Sequence, residues 1–556
     1  MIYPQLLLDV HDELIVDLFA GGGGASVGIE IALGRQVDVA INHDPAAVAM
    51  HRVNHPQTQH HVCDVFEADP RAVTNGRRVG LLWASPDCTY HSKARGAKPI
   101  RSKDRKRRAL AWVVTRWAGQ VRPRVIFLEN VEELAGWGPL VGPPDALRPC
   151  PRRRGKTFRK WVRSLERFGY TVEWRELRAC DYGAPTIRKR LFLIARCDGQ
   201  PIVWPEPTHG PPGRRRPFRT AAECIDWSIP MLSIFATKEE AREWAKEHGQ
   251  APPIRPLAEA TQRRIARGVM RYVVQNPKPF LVTLNHGGGK EHGSLAAVHL
   301  SPYHAEKRAS DVRGAAADEP VDTVDTANRH ALVASFIARH NAGYYEGDGR
   351  SLEDPAGTVC AEGSPQGLVA TTLAKMRGTG TDADPAEPLH TVSAGGMHHA
   401  LATAHIASLY SAKGAESRAN PADSPLRAVT ATDRHAAVYA FLQKYYGQGV
   451  GQQPGEPIHT IPTVDRFGLV TVNVRGVPHY IADIAMRMLQ PRELYRAQGF
   501  PDGYVIDRGA DGRRLTKTEQ VRMCGNSVCP PVAAALVRAN VPGMIARDEA
   551  LRSRVA

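Results

Sequence analysis

Cys88 follows an apolar run, VGLLWAS (79–85), inside the segment WASPDCTYHS (83–92). A thiol at the end of a strand becomes a nucleophile once it ionises. Most lone cysteines are instead small buried hydrophobes, and the residue type alone leaves both readings open. Three other segments also end an apolar run in polar chemistry. DLFAGGGGASVG (17–28) passes from strand through consecutive glycines into helix, a turn that lets a ligand approach the backbone closely. FLENV (127–131) carries Glu129, either a cap for the next helix or a site acid. DYGAPTIRKRLFLIA (181–195) places Arg188 and Arg190 at alternate positions, hence on one strand face. Two guanidiniums there suit a phosphate or a base carbonyl, and they suit a solvated strand edge equally well.

The elements that must position these groups are legible as alternating runs. LIVDLFA (14–20), VDVAIN (37–42), VGLLWAS (79–85), RVIFLENV (124–131), TVEWREL (171–177) and RLFLIAR (190–196) read as buried strands. Helical stretches at Ala46–Val53, Arg107–Gln120 and Phe158–Phe168 separate them. Such alternation predicts a mostly parallel sheet with helices on both faces and a ligand at the carboxyl ends of its strands. Asn42, His43 and Asp44 follow the second run, where a ribose-binding group is expected. Asp64, in VCDV, is placed to accept a hydrogen bond from an adenine amino group. Both Asp44 and Asp64 serve as well as helix caps or turn residues. The basic run Arg101–Arg108 downstream of Cys88 would lower a thiol pKa and hold phosphates, or simply start an exposed helix.

At 556 residues the chain is too long for one hydrophobic core. The expected division is a catalytic core over 1–200, a second region over 201–480, and a return to the core over 481–556. Pro201–Pro217, rich in Pro, Gly and Arg, marks the first boundary. Between 320 and 470 a pattern recurs about every 35 residues: Pro320, Pro355, Pro388, Pro425 and Pro457 each lead to a Thr or Ala three positions on and then to an apolar pair. Thr-Val runs bounded by Pro and Gly predict strands there. Arg329–His330, His398–His399 and Arg434–His435 would decorate them either as solvated loops or as a groove-following surface. No apolar run reaches the ~20 residues a membrane helix needs, and nine cysteines without a CxxC pair fit a reducing cytoplasm. His60, His61 and Cys63 lie too close together to favour a metal site. The net charge of +16 favours a polyanionic partner.

Taken in order, the four segments resemble the motifs of the DNA cytosine-5 methyltransferase family. MLQPRELYRAQGFPDGY (488–504) and MCGNSVCPPVAAAL (523–536) resemble its ninth and tenth. The resemblance covers 14–197 and 486–537 and leaves the repeated middle in the family's variable target-recognition slot. It implies an α/β fold, a Rossmann-like S-adenosylmethionine-dependent core carrying a large β-rich insertion. It implies Cys88 as nucleophile, Glu129 as acid, and Arg188 and Arg190 flanking the target base. Asp17, Phe19, Ala20, Gly21, Gly23, Asn42, His43, Asp64, Val65, Pro86, Asn526 and Ser527 would surround S-adenosylmethionine, which leaves as S-adenosylhomocysteine. Ser92, Arg95, Arg101 and Lys103 would touch DNA. The implied partner is double-stranded DNA. The implied setting is a monomer in a bacterial cytoplasm, held at the nucleoid through DNA, with a restriction endonuclease as a possible companion.

Three departures from the family pattern stand out. Pro86-Asp87-Cys88 replaces Pro-Pro-Cys, Asn42 stands where a ribose-binding Glu is usual, and Thr186 replaces a Gln before the arginines. Losing the proline loosens a turn, and a carboxylate beside a thiol raises its pKa. Other readings are an RNA cytosine-5 methyltransferase, a catalytically silent DNA-binding relative, and a nicotinamide enzyme supported by the glycine turn alone.

Overall fold

The computed structural model describes residues 13–92, 99–211, 213, 215–276, 278–284, 294–302, 315–321, 323–324, 326, 330–339 and 477–545, with short strand pieces between 372 and 474. The chain divides into two units, one of Met1–Asp226, Ala317–Arg329 and Leu489–Ala556, the other of Trp227–Ala316 and His330–Met488. The first unit thus runs past residue 200 and reclaims a short stretch from the middle of the chain.

Its elements are β1 (Leu14–Leu18), α1 (Gly24–Leu33), β2 (Val39–Asn42), α2 (Pro45–Asn54), β3 (Gln59–Val62), β4 (Val79–Ala84), α3 (Trp112–Gln120), β5 (Val125–Asn130), α4 (Lys156–Arg167), β6 (Thr171–Arg178), β7 (Lys189–Arg196), α5 (Pro491–Gln498), α6 (Lys517–Asn526) and α7 (Pro530–Asn540). The sheet runs β3-β2-β1-β4-β5-β7-β6. β1 to β5 are parallel neighbours, and β7 alone is antiparallel to both strands beside it. Strand order reverses between β1 and β4, which opens a crevice at their carboxyl ends. This is a Rossmann-like α/β core.

Both faces of the sheet are covered, which explains the continuous apolar runs. Leu14, Val16 and Leu18 of β1 pack with Trp117 of α3 and Trp161 of α4. Ile15 points the other way, to Ile29 and Leu33 of α1 and Leu536 of α7. Helices α1 and α7 approach so closely that a Cβ on Gly28 would stand 2.5 Å from that of Ala533, and one on Gly24 2.1 Å from the Val528 carbonyl. Only glycine permits that approach.

Two strands depart from the sequence expectation. β6 was expected buried, yet it is the sheet edge and most of its residues are exposed. β3, QHHV, forms the other edge; its polar residues carry no apolar signal. The antiparallel course of β7 has the larger consequence: its first residues, not its last, lie at the crevice, beside the end of β5.

In the second unit the described strands form an antiparallel sheet. Leu232–Ser233, Val477–Met488, His330–Arg339, Ser294–Pro302 and Leu281–Leu284 lie in that order, with Ala315–Ala316 and Thr471–Val474 paired at its sides. Ile265 and Val269, from helix Glu259–Val269, and Val273 cover it against Ala297, Val333 and Met486. The region is therefore β-rich in its described part. The repeat prolines at 355, 388, 425 and 457 lie outside the described residues, as do Arg329, His398 and Arg434. His330 was read as surface decoration; it is 3% exposed, inside a strand paired with Ser294–Pro302. Among the described residues no helix is long and apolar enough to cross a membrane.

Candidate active site

Four strand ends meet at the crevice. β4 delivers Cys88, partly exposed, on a loop tied to β5 by Asn130 Nδ2, which donates to the Pro86 carbonyl at 2.8 Å. After Cys88 the chain turns: His91 and Ser92 amides donate to the Cys88 carbonyl at 2.9 and 3.0 Å. The loop is then anchored by Arg108, whose Nη1 donates to the Tyr90 carbonyl. Arg108 is 6% exposed, so this member of the basic run holds the loop rather than a phosphate.

Glu129, at the end of β5, is 5% exposed. Its Oε1 lies 3.4 Å from Arg190 Nε and has no hydrogen-bond partner among the described residues. Burial pushes the carboxyl pKa up, with Arg188 and Arg190 opposing. A buried, neutral carboxylic acid can donate one hydrogen bond and accept another. Burial also raises the Cys88 thiol; Arg190 pulls it back, Glu129 raises it, Arg188 lowers it and Asp87 raises it least. Cys88, Glu129 and both arginines therefore share one electrostatic environment. Glu129, Arg188 and Arg190 line a small cavity closed by Cys529 and Val532.

The two arginines, expected as a matched pair, are placed differently. Arg188 is 4% exposed, and its Nη1 donates to the carbonyls of Val324 at 2.9 Å and Gly525 at 3.0 Å. It ties the strand start to two distant parts of the first unit. Arg190 is partly exposed and faces Glu129. Thr186 Oγ1 accepts from the Arg188 amide at 3.3 Å, so the residue in place of glutamine still supports this loop.

The glycine turn joins β1 to α1. Phe19, Gly21 and Gly23 have φ of 64°, 51° and 83°, left-handed values that are strained for phenylalanine. Helix α6 and the residues after it form the opposite wall: a Cβ on Gly22 would stand 2.8 Å from Ser527 Oγ. Asp17 is fully buried; Ser26 Oγ donates to its Oδ2 at 2.8 Å, and Oδ1 has no partner among the described residues. Burial pushes the Asp17 carboxyl up to about 7, with Ser26 opposing. An unpartnered buried carboxyl oxygen beside a glycine cradle fits a cationic ligand such as S-adenosylmethionine. It fits poorly with a dinucleotide, whose pyrophosphate is anionic.

The remaining expected residues fall into three groups. Ala20 is buried in the turn, Val65 is buried beyond β3, and Pro86 is buried in the Cys88 loop. Asn42 Oδ1 accepts from the Asp44 amide at 2.9 Å, Asp44 caps α2 through the Ala46 amide at 3.0 Å, and Asp64 Oδ1 accepts from the Phe66 amide at 3.0 Å. His43, Asp64 and Asn526 are exposed, while Ser527 is buried. Arg101 is exposed and 3.6 Å from Asp104. Arg95 and the side chain of Lys103 lie outside the described residues. Sequence reasoning passed over Ser26 and His51, which back the turn; Ser26 lies two residues past the last glycine, but His51 carries no local signal.

Residues 14–216 and 396–541 match C-5 cytosine-specific DNA methylase, well over half of the chain. The chain belongs to this family. The methylase is similar to the type II methyltransferase M.AquIA of Picosynechococcus sp., 24% identical over 43% of this chain and 99% of that protein. It is 30% identical to the type II methyltransferase M.NaeI of Lentzea aerocolonigenes, over 43% of this chain and 51% of that one. M.XorII of Xanthomonas oryzae pv. oryzae is 29% identical over 42% and 49%. The chain thus spans nearly all of M.AquIA but about half the length of M.NaeI and M.XorII. As a member, the methylase is a DNA cytosine-5 methyltransferase.

The methylase's missing proline has a local substitute. Asp87 Oδ1 accepts from the Thr89 amide at 2.7 Å and also from its hydroxyl. That side-chain turn holds the backbone where a second proline ring would.

Proposed function

We propose that this methylase modifies C5 of a cytosine in duplex DNA by adding the Cys88 sulfur to C6 of an extruded base. The observation that carries the reading is the meeting of Cys88, Glu129 and Arg190 at neighbouring strand ends beside the glycine turn. Cytosine C5 is a weak nucleophile; a thiolate on C6 gives C5 enamine character. Glu129, its pKa raised by burial, would in its protonated form donate to N3 as charge develops there and accept from the exocyclic amine. Arg190 would hold the O2 edge and stabilise the Cys88 thiolate, while Arg188 positions the strand start.

S-adenosylmethionine would lie against Asp17, Phe19, Gly21, Gly23 and Ser527 and supplies an electrophilic methyl group. Removal of the C5 proton then lets Cys88 leave. A base inside a duplex cannot reach these groups, so it is flipped out at a cost of roughly a few kcal/mol. The net charge of +16 and the second unit would offset that cost through backbone and groove contacts. We further read the protein as a monomer of the bacterial cytoplasm, bound at the nucleoid and able to serve beside a cognate endonuclease.

Duplex DNA containing 5-fluorocytosine tests the reading, because fluorine cannot leave as a proton does and the adduct persists. With S-adenosylmethionine present, wild type should form a denaturant-resistant protein–DNA species that Cys88→Ser lacks while still binding cofactor. An adduct that survives the substitution, or none in wild type on any duplex pool, overturns it.

A further inference from the structure

Behind the glycine turn runs a chain of buried polar groups that no step above uses. Asp17 Oδ2 is 2.8 Å from Ser26 Oγ, Ser26 Oγ is 2.9 Å from His51 Nε2, and His51 Nδ1 is 2.8 Å from His60 Nε2. Asp17, Ser26 and His51 are at most 1% exposed, whereas His60 lies on edge strand β3 and is partly exposed. The chain therefore leads from β1, just before the glycine turn, past α1 and α2, to the edge of the sheet.

Each link holds one proton, so with both rings uncharged the chain has only two senses, which differ by one proton. With Asp17 ionised, His60 donates to His51, His51 to Ser26, and Ser26 to the carboxylate. With Asp17 protonated on Oδ2, every bond reverses and His51 Nδ1 donates to His60 Nε2. The two senses interconvert when Asp17 passes its proton to Ser26, Ser26 passes its own to His51 Nε2, and His51 passes its Nδ1 proton to His60 Nε2. His60 then releases a proton to water from its other nitrogen. Each oxygen and nitrogen ends with its ordinary valence, and one proton has left the pocket.

We propose that Asp17, Ser26, His51 and His60 form a proton-exit path, so that binding a cationic cofactor beside Asp17 expels a proton at the β3 edge. The proposal rests on the reading that the glycine turn holds S-adenosylmethionine. It makes Ser26, His51 and His60 positioning residues for that site. Burial supports it: Asp17 is held up to about 7, so the empty pocket keeps a proton there near neutrality. His51 and His60 are both held neutral, the latter pushed down to about 4, as a relay of uncharged rings requires. The surrounding charges are few. His55 lies tilted against His51 at 4.4 Å and approaches Glu30 at 3.2 Å, Arg52, His55 and His61 act on His60, a hydrogen bond with the Thr58 backbone opposes them there, and the Tyr504 hydroxyl is engaged by the Gly22 carbonyl at 2.9 Å.

Isothermal titration of the whole protein with S-adenosylmethionine, in two buffers of different ionisation enthalpy, counts the protons released. Wild type should release about half a proton at pH 7, rising below and vanishing above pH 8–9. Asp17→Asn should release none at any pH. His51→Phe interrupts the path and removes support from the ionised carboxylate. Its release midpoint should therefore move to higher pH, with affinity falling up to about tenfold per pH unit below that midpoint. A purely structural role would weaken binding equally at every pH. Binding without proton release in wild type overturns the proposal alone, as does an unchanged midpoint in His51→Phe. Failure of wild type to bind S-adenosylmethionine overturns both the proposal and the cofactor reading beneath it.

Discussion

Arg188→Ala and Arg190→Ala should have opposite signatures. Arg188 makes two charge-assisted bonds to buried carbonyls, at 2.9 and 3.0 Å, and its truncation leaves both oxygens unpaired. Such bonds are worth about 1.5–3 kcal/mol each net of solvation, so a loss of about 3 kcal/mol is the lower expectation. At about 2–4 °C per kcal/mol, the melting point of the first unit should fall by about 6–12 °C. Arg190 is partly exposed and pairs at 3.4 Å with an acid whose ionisation burial disfavours, so its removal should cost about 1 kcal/mol or less. Its effect should appear in turnover. It is the largest of the influences lowering the Cys88 pKa, and an electrostatic group of this kind is worth about 10²–10³ in rate. Calorimetric melting and single-turnover methylation on the same preparations compare the two. Equal destabilisation, or a stable Arg188→Ala that has merely lost turnover, would refute the division of roles.

Glu129→Gln should slow methyl transfer by about 10²–10⁴ while leaving cofactor affinity within about twofold, read from single-turnover rates and titration. The pH profile should change with it. Both pKa values are raised, so wild type gains thiolate and loses acid together and should be flat between them; Glu129→Gln should instead climb about tenfold per pH unit toward the thiol pKa. Gly24→Ala, whose Cβ would stand 2.1 Å from the Val528 carbonyl, should destabilise the first unit by several kcal/mol by chemical denaturation.

Much of the first unit was legible because sheet strands covered on both faces must be apolar throughout. The runs beginning at Leu14, Val79 and Arg124 became β1, β4 and β5 for that reason. Strand β3 was illegible because an edge strand need not be apolar, and one of its two histidines, His60, instead bonds the buried His51. The direction of β7 was equally hidden, since RLFLIAR reads alike either way along a sheet. That direction decides which end of the strand meets Glu129. The sequence paired Arg188 with Arg190 by alternation alone. Their separation depends on Val324 and Gly525, partners more than a hundred residues distant, which no local pattern records. Asp87 read as damage to a catalytic turn, whereas its carboxylate supplies the turn's own fastening.

The pairing of α1 with α7 also fixes when the enzyme can exist. During translation the glycine-lined flank of α1 emerges early, and the helix that covers it follows about 500 residues later, roughly 25–100 s at ordinary elongation rates. Until then a bare apolar ridge stands beside an unfinished ligand pocket, a natural target for holding chaperones. A ribosome-bound fragment that stops short of α7 therefore lacks the helix that completes this face of the sheet.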